Sequence, residues 1–180
     1  NPVRDLNQNL DSLPFPDREL IYKKDKFFSN LSIKRFMASK GCPYNCSYCF
    51  NKSYNSMYAG KGKIVRYRSV DNVIAEINDV RSKYPLRVVK FVDDTLIIDK
   101  KWLKEFCEKY KKRVGLPFVC NIRADLTTSE TVKQLKDANC KVVYIGIESG
   151  SEKTRKEILK KYISNEQILN VCKMLRKNKI

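Results

Sequence analysis

Cys42, Cys46 and Cys49 sit in one short stretch, Gly41-Cys42-Pro43-Tyr44-Asn45-Cys46-Ser47-Tyr48-Cys49, a C-x3-C-x2-C spacing. Three thiolates this close repel one another and react readily, so the pattern calls for a metal that neutralises them. A structural zinc takes four ligands, and the remaining cysteines, Cys107, Cys120, Cys140 and Cys172, are distant in sequence. Cys107 and Cys172 fall on apolar helix faces and Cys120 falls within a strand, where cysteine acts as a small hydrophobe. Cys140 opens a strand, at the end opposite the Cys loop. Three thiolates suit a 4Fe-4S cluster with one iron left for an outside ligand, and an open iron is a reaction site. The competing reading from another class is a Cys-ligated zinc or nucleic-acid-binding module.

Composition narrows the rest. The 180 residues contain no histidine. This excludes a Ser-His-Asp or Cys-His nucleophile, a Cys2His2 finger, a His-ligated haem and an imidazole acid/base. The 37 Lys and Arg outnumber the 20 Asp and Glu, giving a net charge of +17. The two halves of the chain carry +9 and +8, so the charge is spread rather than gathered into a basic arm. Lys153, Lys156, Lys160 and Lys161, with Glu152 and Glu157 beside them, read as a solvated helical face. A nucleic-acid partner is therefore not favoured. The odd count of seven cysteines and the absence of a long apolar run predict a reduced, cytoplasmic protein with no membrane partner. The opening Asn1-Pro2 reads as mid-chain sequence, so the chain is expected to be a piece of a longer protein.

The elements that must position the thiols follow a βα rhythm. Short apolar stretches at residues 34–39, 87–92, 117–121 and 142–147 read as strands. Helices are predicted over 70–82 behind Ser69, over 100–113 behind Asp99, after a Thr127-x-x-Glu130 box, near Ser151, and after a Ser164-x-x-Gln167 box. Residues 50–68 read as one long loop whose Lys61, Lys63, Arg66 and Arg68 are solvated. Alternation of this kind predicts α/β architecture with a parallel sheet. Each strand is followed by polar side chains: the three cysteines, then Asp93-Asp94, then Asn121, Arg123 and Asp125, then Glu148-Ser149. In parallel βα folds the functional groups collect at the carboxyl ends of the strands.

With Tyr48 as the aromatic before the last cysteine, the loop resembles the C-x3-C-x-aromatic-C signature of the radical S-adenosylmethionine (radical SAM) superfamily. The resemblance implies a partial (β/α)6 barrel, here truncated after about four βα units, and a 4Fe-4S cluster on Cys42, Cys46 and Cys49. It also implies that S-adenosylmethionine (SAM) chelates the open iron and is cleaved reductively to a 5'-deoxyadenosyl radical that abstracts a substrate hydrogen. Where the family carries a Gly-Gly-Glu type motif for the methionine amino group, this chain has Val92-Asp93-Asp94, so either Asp93 or Asp94 takes that part. By the same resemblance Arg123 faces the SAM carboxylate, Glu148 with Ser149 the ribose, and Tyr48 the adenine. An ion pair between Arg123 and Asp125 or Asp94 is the plainer alternative.

A narrower resemblance covers about residues 11–180, through Leu13-Pro14-Phe15-Pro16-Asp17-Arg18, Phe91-Val92-Asp93-Asp94-Thr95, Cys120-Asn121-Ile122-Arg123-Ala124-Asp125 and Gly146-Ile147-Glu148-Ser149-Gly150. It points to the subgroup whose members commonly carry an N-terminal cobalamin-binding domain. Cobalamin is then a cofactor of a full-length parent, residues 1–30 are a linker, and residues 31–180 are an incomplete core. The implied reaction is hydrogen abstraction with cobalamin-linked methyl transfer on a small-molecule substrate, fed by an electron donor such as flavodoxin or ferredoxin. A methylthiotransferase-like enzyme acting on tRNA or protein is the alternative within the family.

Overall fold

A computed structural model describes residues 2–180. Four strands, β1 (Ile33–Phe36), β4 (Val88–Phe91), β5 (Phe118–Ile122) and β6 (Cys140–Ile145), lie side by side in chain order and all run parallel. They match the predicted strands to within two or three residues. A separate two-stranded antiparallel ribbon joins β2 (Ser39–Lys40) to β3 (Arg66–Tyr67).

The crossovers pass through α4 (Val70–Lys83) and α5 (Lys100–Arg113), then α6 (Ser129–Asp137) before β6, with α7 (Glu152–Glu157) and α8 (Asn165–Lys177) after it. Each begins where sequence chemistry places a cap: Ser69, Asp99, Ser151 and Ser164 all accept hydrogen bonds from first-turn N–H groups. α6 departs from expectation, because Thr128 rather than Thr127 is its cap. The Thr127 hydroxyl instead donates to the Arg123 carbonyl, tying the end of β5.

The helices α4, α5 and α6 pack on one side of the sheet. Phe36, Val89, Phe91, Phe118, Cys120 and Ile122 are buried against helix residues such as Ile74, Ile77, Leu103, Phe106, Val132 and Leu135. Their sequence neighbours Arg35, Lys90, Val119 and Asn121 therefore project to the other face, since strand side chains alternate. A doubly wound sheet would be covered on both faces. One covered face and one open face is the wall of a partial barrel.

The predicted linker is folded onto this wall through α1 (Glu19–Tyr22) and α2 (Lys26–Asn30), with residue 1 outside the described residues. Lys34 is buried at the start of β1, and its ammonium donates at 2.8 Å to the carbonyls of Phe28 and Ser29 beside the Tyr22 ring. On the outer edge of β1, Arg18 donates to the Arg35 carbonyl at 2.8 Å and Arg68 to the Met37 carbonyl at 3.0 Å. Both arginines are held by Glu76 of α4. Occupying those carbonyls keeps the edge from pairing with another strand.

Two sequence expectations are corrected here. The stretch 50–68 is not one loop: it holds α3 (Phe50–Met57) and then β3, and its Arg66 and Arg68 are engaged rather than solvated. Cys172 is exposed, because α8 turns Ile168, Val171 and Leu175 inward instead.

Candidate functional site

The Cys loop leaves the carboxyl end of β1 through Gly41, whose φ of +89° is left-handed and whose Cβ, were there one, would lie 2.2 Å from the Ile64 carbonyl oxygen. Cys49 then caps α3, its N–H donating to the Cys46 carbonyl at 3.1 Å. The loop is pinned from both sides. Asn55 of α3 donates to the Cys42 carbonyl at 3.0 Å, while the Ser47 N–H and hydroxyl donate to Leu159 and Ile158 carbonyls just past α7. All three thiols are free, with Cys42 and Cys46 buried and Cys49 half-buried. Burial raises the Cys42 thiol above its ordinary value, and the nearby Asp94 carboxylate adds to the rise.

Among the described residues, no three Cys, Asp or Glu side chains gather around one point as ligands of a single ion. The loop presents three free thiols at the carboxyl end of β1.

Arg123, just past β5, is buried against this loop. One guanidinium nitrogen lies 3.8 Å from the Cys46 sulfur, the group stacks on Tyr44 at 3.5 Å from the ring centre, and the other nitrogens fork onto Asp125 at 3.1 and 3.0 Å. The ion pair with Asp125 is thus the one present, and the fork is already occupied. What the arrangement supplies to the thiol is a fixed positive charge and an N–H donor.

The two aspartates part company. Asp93 is 1% exposed, and its carboxylate accepts from the Ala38 N–H at 3.1 and 3.2 Å and from both the N–H and the hydroxyl of Ser39. It holds the turn from which the Cys loop departs, and its acceptor capacity faces inward. Asp94 is exposed, near enough to Cys42 to bear on its thiol, and leaves a carboxylate open at the rim.

Glu148 and Tyr48 are brought together by a lysine that the sequence reads as solvated. Lys161 donates to Glu148 Oε1 at 3.1 Å and to the Tyr48 hydroxyl at 3.2 Å. It is 6% exposed, which corrects the reading of Lys161 as part of a solvated face. The cause lies in Arg155 of α7, 0% exposed, whose guanidinium binds the carbonyls of Ser149 and Ile163 and the Asn165 side chain. That clamp folds the segment after α7 back over the end of β6 and turns Lys161 inward.

Glu148 has φ +66°, left-handed for a residue with a Cβ, and such a conformation costs on the order of 1–3 kcal/mol. A Cβ on Gly146 would lie 2.3 Å from Glu148 Oε1 and 2.9 Å from Lys161 Nζ, so a side chain there would push the Glu148–Lys161 pair aside. Partial burial works to raise the Glu148 carboxyl, but the Lys161 ammonium holds it below the ordinary carboxylate range. Burial and the hydrogen bond with Glu148 push the Tyr48 phenol up, so it stays protonated. Ser149 does not join them: its hydroxyl accepts from the Ser151 N–H at 3.1 Å, within the turn.

The rim thus carries three free thiols, a guanidinium beside one of them, an open carboxylate at Asp94 and a Tyr48–Lys161–Glu148 group. Residues 37–180 match the family model described as the Radical SAM superfamily. An uncharacterised methyltransferase of Pyrococcus horikoshii is 30% identical over 178 residues, 98% of this chain and 37% of that protein. Cytidylyl-2-hydroxyethylphosphonate methyltransferase of Streptomyces wedmorensis is 24% identical over 188 residues, 98% of this chain and 34% of that protein. The chain therefore spans about a third of the length of these curated relatives. Among solved structures, the cobalamin-dependent SAM radical enzyme OxsB, with aqua-cobalamin and SAM bound, superposes with a TM-score of 0.71 at 20% identity, over 94% of this chain and 26% of that one. That likeness is one of fold.

Proposed function

This chain belongs to the radical SAM superfamily, and from that premise we propose that it is the cluster- and SAM-binding core of a methyltransferase, with cobalamin serving the longer parent. The observation that carries the reading is the set of three free thiols on one pinned loop at the carboxyl rim, with the Arg123 guanidinium 3.8 Å from Cys46. The donor set fits a 4Fe-4S cluster: three cysteines, none bridged, on one short loop. The methyltransferase names of the two relatives, and the SAM and cobalamin bound in OxsB, support the rest.

In this reading Cys42, Cys46 and Cys49 hold the cluster, which with SAM supplies one-electron chemistry that the side chains cannot. Asp94, exposed at the rim, accepts from the methionine ammonium, while Asp93 keeps the loop in place from below. Glu148, kept ionised by Lys161, accepts from the ribose hydroxyls, and Tyr48 flanks the adenine. Arg123 offsets the negative charge of the thiolates. Residues 31–180 form the core and the preceding stretch leads into it. Among the described residues no helix is long and apolar enough to cross a membrane, and seven unbridged thiols support a reducing, cytoplasmic setting with a flavodoxin- or ferredoxin-type donor.

Anaerobic reconstitution tests this. The expected result is about four irons and four sulfides per chain, set by the ligand count, and 5'-deoxyadenosine formed from SAM with a reductant. Cys42→Ala loses the iron while Cys172→Ala keeps it. One tightly held zinc without sulfide, or equal iron loss in both variants, sinks the reading.

A further inference from the structure

α3 buries none of its side chains, although it begins at Cys49, the least buried of the three loop thiols. Phe50, next to Cys49, is 71% exposed, and Met57, seven residues on and so on the same helical face, is exposed as well. Tyr54 lies between them on that stripe and is half-buried, its ring 5.9 Å from that of Phe50 and its hydroxyl bound by Arg66 at 3.3 Å. The stripe is tethered at its middle and open at both apolar ends. A further apolar side chain stands beside the loop. Ser47 donates to the Ile158 and Leu159 carbonyls, which brings the turn past α7 against the Cys loop, and Ile158 is 66% exposed.

Charge around the loop is one-sided. From Gly41 to Val70 the chain has five cations and no carboxylate. Arg66 and Arg68 are engaged within the protein, whereas Lys52, in the first turn of α3, and Lys63 are exposed. Lys160 lies between Leu159, which binds Ser47, and Lys161, which binds Tyr48, so it too stands beside the loop. It is exposed, and its φ of +51° is left-handed for a residue with a Cβ. Such strain persists only where the surrounding structure imposes it, and it gathers at functional sites. Among the described residues the side chains of Lys52, Lys63 and Lys160 make no ion pair or hydrogen bond. Glu157 is a lone carboxylate between Lys156 and Lys160 in the sequence.

We propose that this face, with Phe50 and Ile158 as apolar contacts and Lys52 and Lys160 as cations, docks a small acidic redox protein that delivers one electron beside Cys49. Docking there rests on the reading of the three thiols as cluster ligands. One electron leaves the reduced carrier and enters the group held by Cys42, Cys46 and Cys49, and no atom is transferred. Cys42 and Cys46 are buried, so the surroundings of Cys49 are the short way in. Electron-transfer encounters are small, burying less than about 1,200 Å², and charge complementarity steers them. Two exposed apolar side chains among unopposed lysines have that composition. A patch of this size beside a buried thiol fits a brief redox encounter better than the long phosphate track of a nucleic acid.

Calorimetric titration of the full chain, reconstituted and unreconstituted side by side, with oxidised flavodoxin tests this, with cytochrome c as a basic carrier for comparison. Flavodoxin should bind to both forms and lose most of its affinity as salt rises from about 0.05 to about 0.5 M, because screening shortens the reach of exposed charges. Cytochrome c should not bind. Lys52→Glu with Lys160→Glu should weaken flavodoxin binding about tenfold, two exposed attractions turned to repulsion. Phe50→Ser should cost about as much, the loss of an aromatic anchor, while Phe50→Leu keeps most of the affinity. In the reconstituted chain the same variants should slow reduction by flavodoxin hydroquinone and leave reduction by dithionite unchanged. Equal binding of cytochrome c, affinity indifferent to salt, undiminished affinity in the combined variant, or displacement of flavodoxin by a short RNA overturns the assignment. A chain that loads its cluster and binds no flavodoxin breaks only this reading; charge-dependent binding by a chain that takes up no iron breaks only the reading of the thiols.

Discussion

Glu76 and Glu148 are both carboxylates held by cations, one behind the sheet edge and one at the carboxyl rim. Glu76 is 1% exposed, with one oxygen bound by Arg18 at 2.9 Å and the other by Arg68. The nitrogens that bind Glu76 also donate to the Arg35 and Met37 carbonyls, and others donate to Tyr22 and Asn72, leaving only Arg18 Nε of these guanidiniums buried without a partner. Glu148 has a side chain 36% exposed, one oxygen on Lys161, and a left-handed backbone. A polar group whose bonding capacity is used up inside the protein serves architecture. One that is oriented by a buried cation and still faces outward, on a strained backbone, is prepared for a ligand.

The largest effect that would sharpen this contrast comes from Glu76→Ala. Two partly buried guanidiniums would lose their counter-ion, so stability should fall by about 3–5 kcal/mol, read by urea unfolding, with iron content per folded chain unchanged. Lost iron in the folded fraction would mean that the edge network serves the site as well. Asp93→Ala comes next: it strands the donors of Ala38 and Ser39 in the interior, a loss of about 2–3 kcal/mol, and should lower cluster loading too, because the Cys loop departs from that turn. Unchanged loading would detach Asp93 from the site. Lys161→Met should be the mildest for folding, within about 1 kcal/mol since the stem packing is kept, but should weaken SAM binding about tenfold through lost orientation of Glu148, measured by equilibrium titration. If it cost as much stability as Glu76→Ala and left SAM affinity alone, the distinction between the two carboxylates would collapse.

The same contrast separates the cysteines. Cys107 is pushed up to about 12 by burial, and Cys120 is raised by its hydrogen bond with Cys140 and by burial, so these thiols stay protonated in the core. Their core role was legible from their places on an apolar helix face and in strands, as was the separate character of the loop trio from its spacing. Cys172 was not, because a stripe of Ile168, Val171 and Leu175 is already complete without it.

Other misreadings have physical causes of the same kind. α3 is made of Asn, Ser and Lys between aromatics and buries none of its side chains, so no apolar periodicity announces it. It is held by Asn55 reaching back to Cys42, a contact that exists only once the loop has closed. Adjacent Thr127 and Thr128 have equal capping chemistry, and the choice fell to the one not drawn onto the Arg123 carbonyl. Nothing in the run Lys160-Lys161 says which lysine turns inward.

By itself the sequence determined what depends on local order: the C-x3-C-x2-C spacing, the strand and helix succession, most helix caps, and hence the rim on which polar residues gather. Tertiary structure alone decided which member of each ambiguous set does what. It buried Asp93 and left Asp94 free, bound Arg123 to Asp125, and drew Lys161 to Glu148. Those outcomes follow from burial and from which partners the fold brings together, some close in the chain, as Arg123 and Asp125 are, and some 113 residues apart, as Lys161 and Tyr48 are. Spacing along the chain carries no record of them.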